Sequence, residues 1–461
     1  MTQCNSQPVL FPTFFSKPVH ISFSREELSS NGGTVLLAAL DRKIGLIDHL
    51  AGALVDKRQS GKVEHELADQ MRQRVFGIAV GCPDGNDAAK LREDPMMKLA
   101  CDRDPVKGEA LASQPTLSRF ENAVDNKQLL TMGCRIAETV IGEQAKRRRG
   151  KNKPRRIIID LDPTCDPTYG TQQLTMFNGY YDTYCYLPLI VTVSFGWERR
   201  KYPVAAVLRG GTAGPMVGTI PAIRRLIALL RQHFGTTRLY LRADSNFAVP
   251  ELFDYLEAEE VHYAIAMGSN SVLKGIAEPA MEQSRREAAR TQKTHTSYGW
   301  SFYKSGGWNR ERTVIYKAEV LVHPDKEDHR DNDRYVISNI DSRYSPQGKC
   351  DFYYGHSDME NNIKELKNDL AMDRTSCSAF KANQFRVLLT LTAYVLMQSV
   401  QERTCDLDLL KAQMGTLRDR LLKVAVRVRS SARRFTLELT SHHPWASAWL
   451  STARSLGAVP V

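Results

Sequence analysis

The sequence predicts an α/β fold with a mixed β-sheet core, a β-rich insertion into that core and a helical domain before it. Apolar residues recur at three- and four-residue steps early in the chain, and β-branched runs bounded by turn residues follow a basic segment. At 461 residues the chain is too long for one ordinary core. The expected segments are a helical domain (1–145), a basic linker (146–156), the first part of the core (157–267), the insertion (268–345), the second part of the core (346–404) and a basic tail (405–461).

Composition restricts the class of protein. Hydrophobic residues make up 42% and charged residues 25%, which is typical of a globular protein. The sequence has no apolar run long enough to span a bilayer and no secretory signature, so we expect a cytoplasmic protein without a membrane partner. Its nine cysteines are scattered without CxxC pairs, which favours reduced thiols over disulfides or a zinc site.

The charge balance points to a polyanionic partner. Lys and Arg number 63 against 52 acidic residues, giving a net charge of +11. Solubility accounts for part of such an excess, but nucleic acid is the commonest partner of a basic protein. We therefore expect double-stranded DNA as a partner and a nucleoid-associated location in the cytoplasm.

The helical domain contains one candidate DNA-reading helix. Pro115 stands at a predicted first turn, Leu117 and Phe120 face inward, and Arg119 is left free. Arg119 at such a helix suits a phosphate or base-edge contact, although an ordinary capped helix fits this short pattern equally well.

The linker reads KRRRGKNKPRR and has eight basic residues of eleven. Arg147, Arg148 and Arg149 are therefore candidate contacts to the DNA backbone. A charge run is more often a solvated segment, and that alternative stays open.

Beyond the linker the periodicity changes to that of strands. Arg156–Asp162 is β-branched and apolar, and two further strands follow it across short connections. An amphipathic helix, a strand at Arg238–Ala243, a second helix and another strand come next. Three antiparallel strands followed by β-α-β-α order predict a mixed sheet, which is the element order of an RNase H-like core.

Acidic residues follow two of these strands. Asp160 and Asp162 lie two apart at the end of one strand, and Asp244 ends another. Charge at the end of an apolar strand is costly unless a cation compensates it. A turn or capping aspartate explains either residue of the first pair, taken alone, about as well.

The third acidic residue lies on a predicted helix. Tyr353, His356, Glu360 and Lys367 are spaced by three, four and seven, so a continuous helix would align them in one polar stripe. The alternative is a solvated face with an ion pair between Glu360 and Lys364. Hard oxygen ligands from two aspartates and a glutamate suit Mg²⁺ or Mn²⁺, and two such ions promote in-line phosphoryl transfer.

Beyond these acidic residues, several short sequence phrases of the chain resemble those of DDE-type bacterial insertion-sequence transposases (transposase DDE domain group 1 type), in the branch whose glutamate helix bears a Tyr-Arg-Glu-Lys signature. The matching phrases are DLDPTCDPTYG, YYDTYCYLPL, LRADSNF, YYGHSDMENNIKELK, DPMMKLA and LASQPTLSRFEN, spread over most of the span from Val75 to Gln401. The resemblance implies an RNase H-like core preceded by a DNA-binding domain at 1–145.

The resemblance also assigns roles. It implies that Asp162, Asp244 and Glu360 are the catalytic acids and the ligands of two Mg²⁺ or Mn²⁺ ions, and that Tyr353 and Lys367 contact DNA. His356 stands where the signature has arginine, and a histidine there could still bind a phosphate. The family's insertion carries a tryptophan near the transposon end, for which we select Trp308 rather than Trp300.

The implied function is a DNA transposase that binds terminal inverted repeats, cleaves the ends and joins them to target DNA, as at least a dimer on DNA. A stand-alone RNase H-like nuclease is one alternative, but it would need neither the helical domain nor the insertion. A transposase-derived DNA-binding protein that has lost catalysis is another, kept open by His356 and opposed by the intact acids. Inverted repeats flanking the gene would separate transposase from nuclease.

Overall fold

A computed structural model describes residues 9–11, 19–21, 27–322 and 329–460. Parts of the predicted N-terminal domain and of the predicted insertion therefore lie outside the described residues.

The N-terminal third is mainly helical, as its apolar period predicts. Asp94 and Asp125 cap two of its helices by accepting hydrogen bonds from backbone N–H groups of the first turn. Gly45 joins the first two helices in a left-handed conformation (φ 68°), which favours glycine. The elements are β1 (Val9–Phe11), β2 (Val19–Ile21), β3 (Leu28–Ser29), α1 (Thr34–Ile44), α2 (Leu46–Ala51), α3 (Leu67–Ala79), α4 (Gly85–Lys90), α5 (Pro95–Ala100), α6 (Gln114–Asn122) and α7 (Asn126–Arg147).

The next segment contains the central strands. Two of its strands, Arg156–Pro163 and Leu189–Phe195, are rich in apolar β-branched residues and are mostly buried on both faces. These two strands therefore lie inside the molecule. The elements are β4 (Arg156–Pro163), β5 (Asp166–Pro167), β6 (Met176–Asn178), β7 (Thr183–Tyr186), β8 (Leu189–Phe195), β9 (Tyr202–Val207), α8 (Thr219–Phe234), β10 (Arg238–Ala243), α9 (Pro250–Ala258) and β11 (His262–Met267).

Five of these strands form an RNase H-like sheet. Their order is β9-β8-β4-β10-β11. Strands β4, β10 and β11 are parallel to one another, and β8 pairs antiparallel with both of its neighbours, β4 and β9. The connection from β8 to β9 is short, whereas the connection from β4 to β8 is long, not short as predicted, and contains β5, β6 and β7. The helices α8 and α9 provide the parallel crossovers. The fold class predicted from the sequence is confirmed.

The segment predicted as an insertion continues this same sheet. It contains α10 (Ser271–Thr291), β12 (His295–Tyr303), β13 (Arg312–Leu321) and β14 (Arg330–Ser338). Strand β14 pairs antiparallel with β11, so the full order is β12-β13-β14-β11-β10-β4-β8-β9. The segment thus widens the sheet on the side of β11.

The C-terminal third packs across the molecule. Helix α13 is buried nearly all round, and its side chains lie in one continuous apolar cluster with the N-terminal helices and the central strands. The helical region and the sheet consequently share a core. The elements are α11 (Pro346–Tyr354), α12 (Met359–Lys364), α13 (Phe380–Gln401), α14 (Leu407–Lys411), α15 (Met414–Leu417), β15 (Val426–Ser430), β16 (Phe435–Leu439) and α16 (Ala446–Ser455).

Candidate active site

Two of the predicted catalytic acids emerge at the same edge of the sheet. Asp162 lies near the end of β4, and Asp244 directly follows β10. These strands are parallel, with Leu161 opposite Ala243, so the next residue of each is a neighbour of the other. The carboxyl edge of parallel strands is where α/β sheets place their ligands.

Glu360 is the third member of the acidic group, because its charge contributes to the raised pKa of Asp162. Burial raises the pKa of Asp162 to about 7, His356 opposes this rise, and Asp244, Glu360 and Asp160 add to it. Burial also raises the pKa of Asp244. Asp244 and Glu360 therefore both lie within electrostatic reach of Asp162, and a cation beside Asp162 would relieve the repulsion.

Asp244 is held by its own turn. The backbone N–H and the side-chain amide of Asn246 donate to its two carboxylate oxygens at 2.9 Å and 3.1 Å. Asp244 begins a short 3₁₀ turn, Ser245–Phe247, in which this capping arrangement arises naturally. Asn246 thus orients the carboxylate of Asp244.

Glu360 itself is exposed. Its carboxylate lies 3.5 Å from the Nζ atom of Lys364, and both side chains are largely in solvent. An exposed pair of this kind contributes about 0–1 kcal/mol, so the carboxylate can turn at little cost. Among the residues that the structure describes, no three His, Cys, Asp or Glu side chains converge closely enough to hold one metal ion.

Asp160 has a different environment from its neighbour. It is fully buried and contacts Nζ of Lys201 at 2.6 Å, Nε of Arg242 at 2.7 Å and Nδ1 of His356 at 3.0 Å. Burial alone would raise its pKa, but the hydrogen bond from His356 and the charges of Arg242 and Lys201 hold it well below the usual range. We name these four residues the Asp160 cluster.

The Asp160 cluster docks the glutamate-bearing segment onto the sheet. Arg242 also donates to the carbonyl oxygen of Phe352 at 2.8 Å, and Lys201 donates to that of Gly355 at 3.1 Å. A Cβ atom on Gly355 would lie 2.4 Å from Nη1 of Arg242, so glycine permits this close approach. Lys201 and Arg242 were not among the residues predicted from the sequence, although a charge inside the apolar strand β10 was a signal for Arg242.

The predicted polar stripe divides because its helix is not uniform. Between α11 and α12 the backbone forms a 3₁₀ turn, Gly355–Asp358, whose tighter winding changes the direction of successive side chains. His356 consequently points into the Asp160 cluster, whereas Glu360 is exposed.

The other two members of the stripe lie near the acids. Tyr353 is half-buried beside His356, and burial followed by the charges of Asp244 and Asp162 raises its pKa. Lys367 donates to the carbonyl oxygen of Cys165 at 2.7 Å, in the loop that follows β4. Their predicted contacts with DNA stay predictions.

Trp308 lies in the core rather than on the surface. It is 6% exposed and packs against Phe253, Tyr303 and the guanidinium of Arg312. A DNA contact needs an exposed ring, and Trp300 on the edge strand β12 is 56% exposed. Burial therefore corrects the choice between these two tryptophans in favour of Trp300.

The four predicted arginine contacts fall into two pairs. Arg147 forms an ion pair with Glu402, and Arg148 pairs with Glu198 at 2.6 Å while lying over the ring of Phe195. These contacts fix the end of α7 to the core. Arg119 and Arg149, in contrast, are exposed, as contact with a DNA backbone requires.

An acidic edge on an RNase H-like sheet defines a class of enzymes that act on nucleic acids, and the sequence places the chain within that class. Residues 11–460 match the family model described as transposase DDE domain group 1. The match spans nearly the whole chain, so the chain belongs to this family and is a DNA transposase.

Among solved structures, the chain is similar to the piggyBac transposase in a cryo-EM structure of its synaptic complex with hairpin DNA, at 12% identity over 87% of this chain and 83% of that chain, with a TM-score of 0.40. No curated protein sequence matches the chain. In the described part of the chain, every helix is too short or too polar to cross a membrane.

Proposed function

We propose that this transposase binds terminal inverted repeats, cleaves each end and joins the ends to target DNA, with Asp162, Asp244 and Glu360 as its catalytic acids. The observation that carries the proposal is that Asp162 and Asp244 lie at the ends of parallel strands at one edge of the sheet, where burial and then the charges of Asp244 and Glu360 raise the pKa of Asp162 to about 7. Carboxylates with perturbed pKa values are typical of functional sites, and a bound cation would stabilise their charged forms.

The residues present fit divalent metal ions. Their oxygen donors are those that Mg²⁺ and Mn²⁺ prefer, and Glu360 can reach them by leaving its exposed pair with Lys364. When bound, two such ions supply activation of the attacking oxygen and stabilisation of the leaving oxygen.

The chain's own residues provide position and orientation. Asn246 fixes the carboxylate of Asp244, and the Asp160 cluster sets the place of the segment that carries Glu360. Tyr353 lies beside the acids, where its phenol can donate to a phosphate oxygen. Arg119 and Arg149 are exposed for backbone contacts, and Lys367 is proposed as a further contact to DNA.

Two ends must be held together before joining, so we expect at least a dimer on DNA, with the protein acting at the nucleoid in the cytoplasm. The net charge of +11 favours DNA binding that weakens steeply with salt, because Lys and Arg contacts release counterions.

The test uses a labelled duplex that carries the inverted repeat flanking the gene. Replacing Asp162, Asp244 or Glu360 with Ala should reduce Mg²⁺-dependent cleavage by roughly a thousandfold or more, because these groups act as a unit, and should leave binding to the end nearly unchanged. Glu251→Ala, which removes an exposed acid on α9, is the matched control and should cleave like the wild type.

Three results would contradict the proposal. Cleavage by Asp162→Ala at the wild-type rate would remove that residue from the site. Cutting without preference for the repeat would indicate a nuclease. Binding without cleavage in either Mg²⁺ or Mn²⁺ would indicate a protein that has lost catalysis.

A further inference from the structure

A group of exposed aromatic rings lies in the connection between β4 and β8. We name it the aromatic hairpin: β6, β7 and the turn between them, residues 176–186. Phe177 is 47% exposed, Tyr180 88% and Tyr184 58%. Phe177 and Tyr184 face each other across the two strands, with ring centroids 5.5 Å apart in a T-shaped pair. Large apolar surfaces left in solvent in this way mark interaction sites.

The aromatic hairpin is firmly seated. Its turn is closed by Asn178, whose side-chain oxygen accepts from the backbone N–H groups of Tyr180 and Tyr181 at 3.0 Å and 3.2 Å. The Asn178 amide also donates to the carbonyl oxygen of Gly211 at 2.8 Å. A Cβ atom on Gly211 would lie 2.3 Å from the carbonyl oxygen of Met176, so glycine lets the strand pack directly against this loop. The rings are consequently presented by ordered backbone.

The hairpin lies beside the catalytic acids, because β7 leads directly into β8, in which Leu189 and Ile190 pair with Pro163 and Asp162. Burial, the neighbouring Cys165 and Tyr180, and then the charges of Asp162 and Asp244 raise the pKa of Tyr181. Arg209, which is buried and donates to the carbonyl oxygen of Leu187 at 2.8 Å, is within reach of the same Tyr181 and Asp244. The exposed rings would therefore be neighbours of DNA whose phosphate lies at the acids.

The composition of the hairpin indicates which part of DNA it meets. Residues 176–186 contain one phenylalanine, three exposed tyrosines and the buried Tyr186, together with one acid and neither Lys nor Arg. Such a surface offers π-faces and no positive charge, so phosphates gain nothing from it. Bases stack on aromatic side chains irrespective of sequence, but only when a neighbouring base does not already cover the face.

We propose that the aromatic hairpin stacks on unpaired bases of the DNA strand next to the bond that is cut. The proposal rests on the proposed function, because it places the DNA by way of the catalytic acids. Tyr180 and Tyr184 supply the most exposed rings, and Tyr181 connects them to the acidic edge.

The test separates base stacking from charge. The full-length protein is titrated into a fluorescently labelled oligodeoxyadenosine of about 12 nucleotides, a length typical of single-strand sites, and into an abasic strand of the same length. The double variant Tyr180→Ala/Tyr184→Ala should bind the base-containing strand roughly tenfold more weakly and the abasic strand with unchanged affinity. Tyr180→Phe/Tyr184→Phe keeps both rings and should bind like the wild type.

Tyr344→Ala is the control for removal of an exposed ring elsewhere, since Tyr344 lies near Arg156 at the opposite end of β4. It should leave both affinities unchanged. Equal losses on both strands, or no loss on either, in the double alanine variant would overturn the proposal. A smaller assembly in light scattering with unchanged DNA affinity would also overturn it, by making the hairpin a contact between copies of this chain. Failure of the wild type to cleave transposon ends is a separate result, and it refutes the proposed function instead.

Discussion

Asp160 and Asp162 lie two residues apart on one strand, but their surroundings move their pKa values in opposite directions. Lys201, Arg242 and His356 surround Asp160 and stabilise its charge. Burial, and then the charges of Asp244 and Glu360, destabilise the charge of Asp162. The first carboxylate serves the internal docking of the glutamate segment, and the second is the better suited to an external cation. A buried ion cluster and a reactive site can thus be built on a single strand because two positions separated by one residue meet different neighbours.

The largest expected effect comes from removing the centre of the Asp160 cluster. Asp160→Ala leaves Lys201 and Arg242 buried without their counter-ion, and we expect the free energy of unfolding to fall by about 3–5 kcal/mol. Asp162→Asn should instead keep or raise stability at pH 8, because it removes a charge that its neighbours repel. Chemical denaturation of both variants measures the contrast. Equal destabilisation would mean that the two carboxylates do not differ in role.

A smaller effect is expected at Asp166, which follows the same strand. Burial raises its pKa to about 7, although the hydroxyl of Thr375 donates to one of its oxygens at 2.8 Å. Since the folded-state pKa lies above the unfolded value of 3.8, the folded protein holds the extra proton, and stability falls as pH rises from about 4 to about 7.

Asp166→Asn removes this pH-dependent loss and keeps an oxygen for Thr375. We expect the variant to be more stable than the wild type by roughly 2–4 kcal/mol at pH 8, and the difference to shrink toward pH 4. Thermal melts across this pH range provide the measurement. A difference that stays constant with pH would show that Asp166 is not the group that titrates.

The smallest expected effect concerns His356, the third partner of Asp160. His356→Asn keeps a donor for that carboxylate, whereas His356→Leu leaves the acceptor without it, so we expect a loss of about 1–3 kcal/mol for Leu and a smaller loss for Asn. Denaturation midpoints compare the two. If both variants are as stable as the wild type and only DNA affinity falls, His356 contacts DNA as the family signature implies.

The central strands and helices were predictable because residue type and periodicity within each segment specify them. A β-branched apolar run predicted β4, a short run with Leu239, Tyr240 and Leu241 predicted β10, and the alternation of strands with amphipathic helices predicted their parallel arrangement. Asp162 and Asp244 followed directly, since acids that end parallel strands meet at one edge. Glu360 was identified by spacing and family resemblance, and its charge does reach Asp162.

By itself, the sequence determined the class of fold, the transposase family and the edge of the sheet where acids gather, because periodicity and residue type are local properties. Tertiary structure alone decided that Trp308 is buried while Trp300 is exposed, that Arg147 and Arg148 pair with acids of the core, and that His356 meets Asp160 across 196 positions of sequence. A basic or aromatic residue has the same pattern in sequence whether it contacts DNA or an internal partner. Only the packing of distant elements fixes which of these it meets.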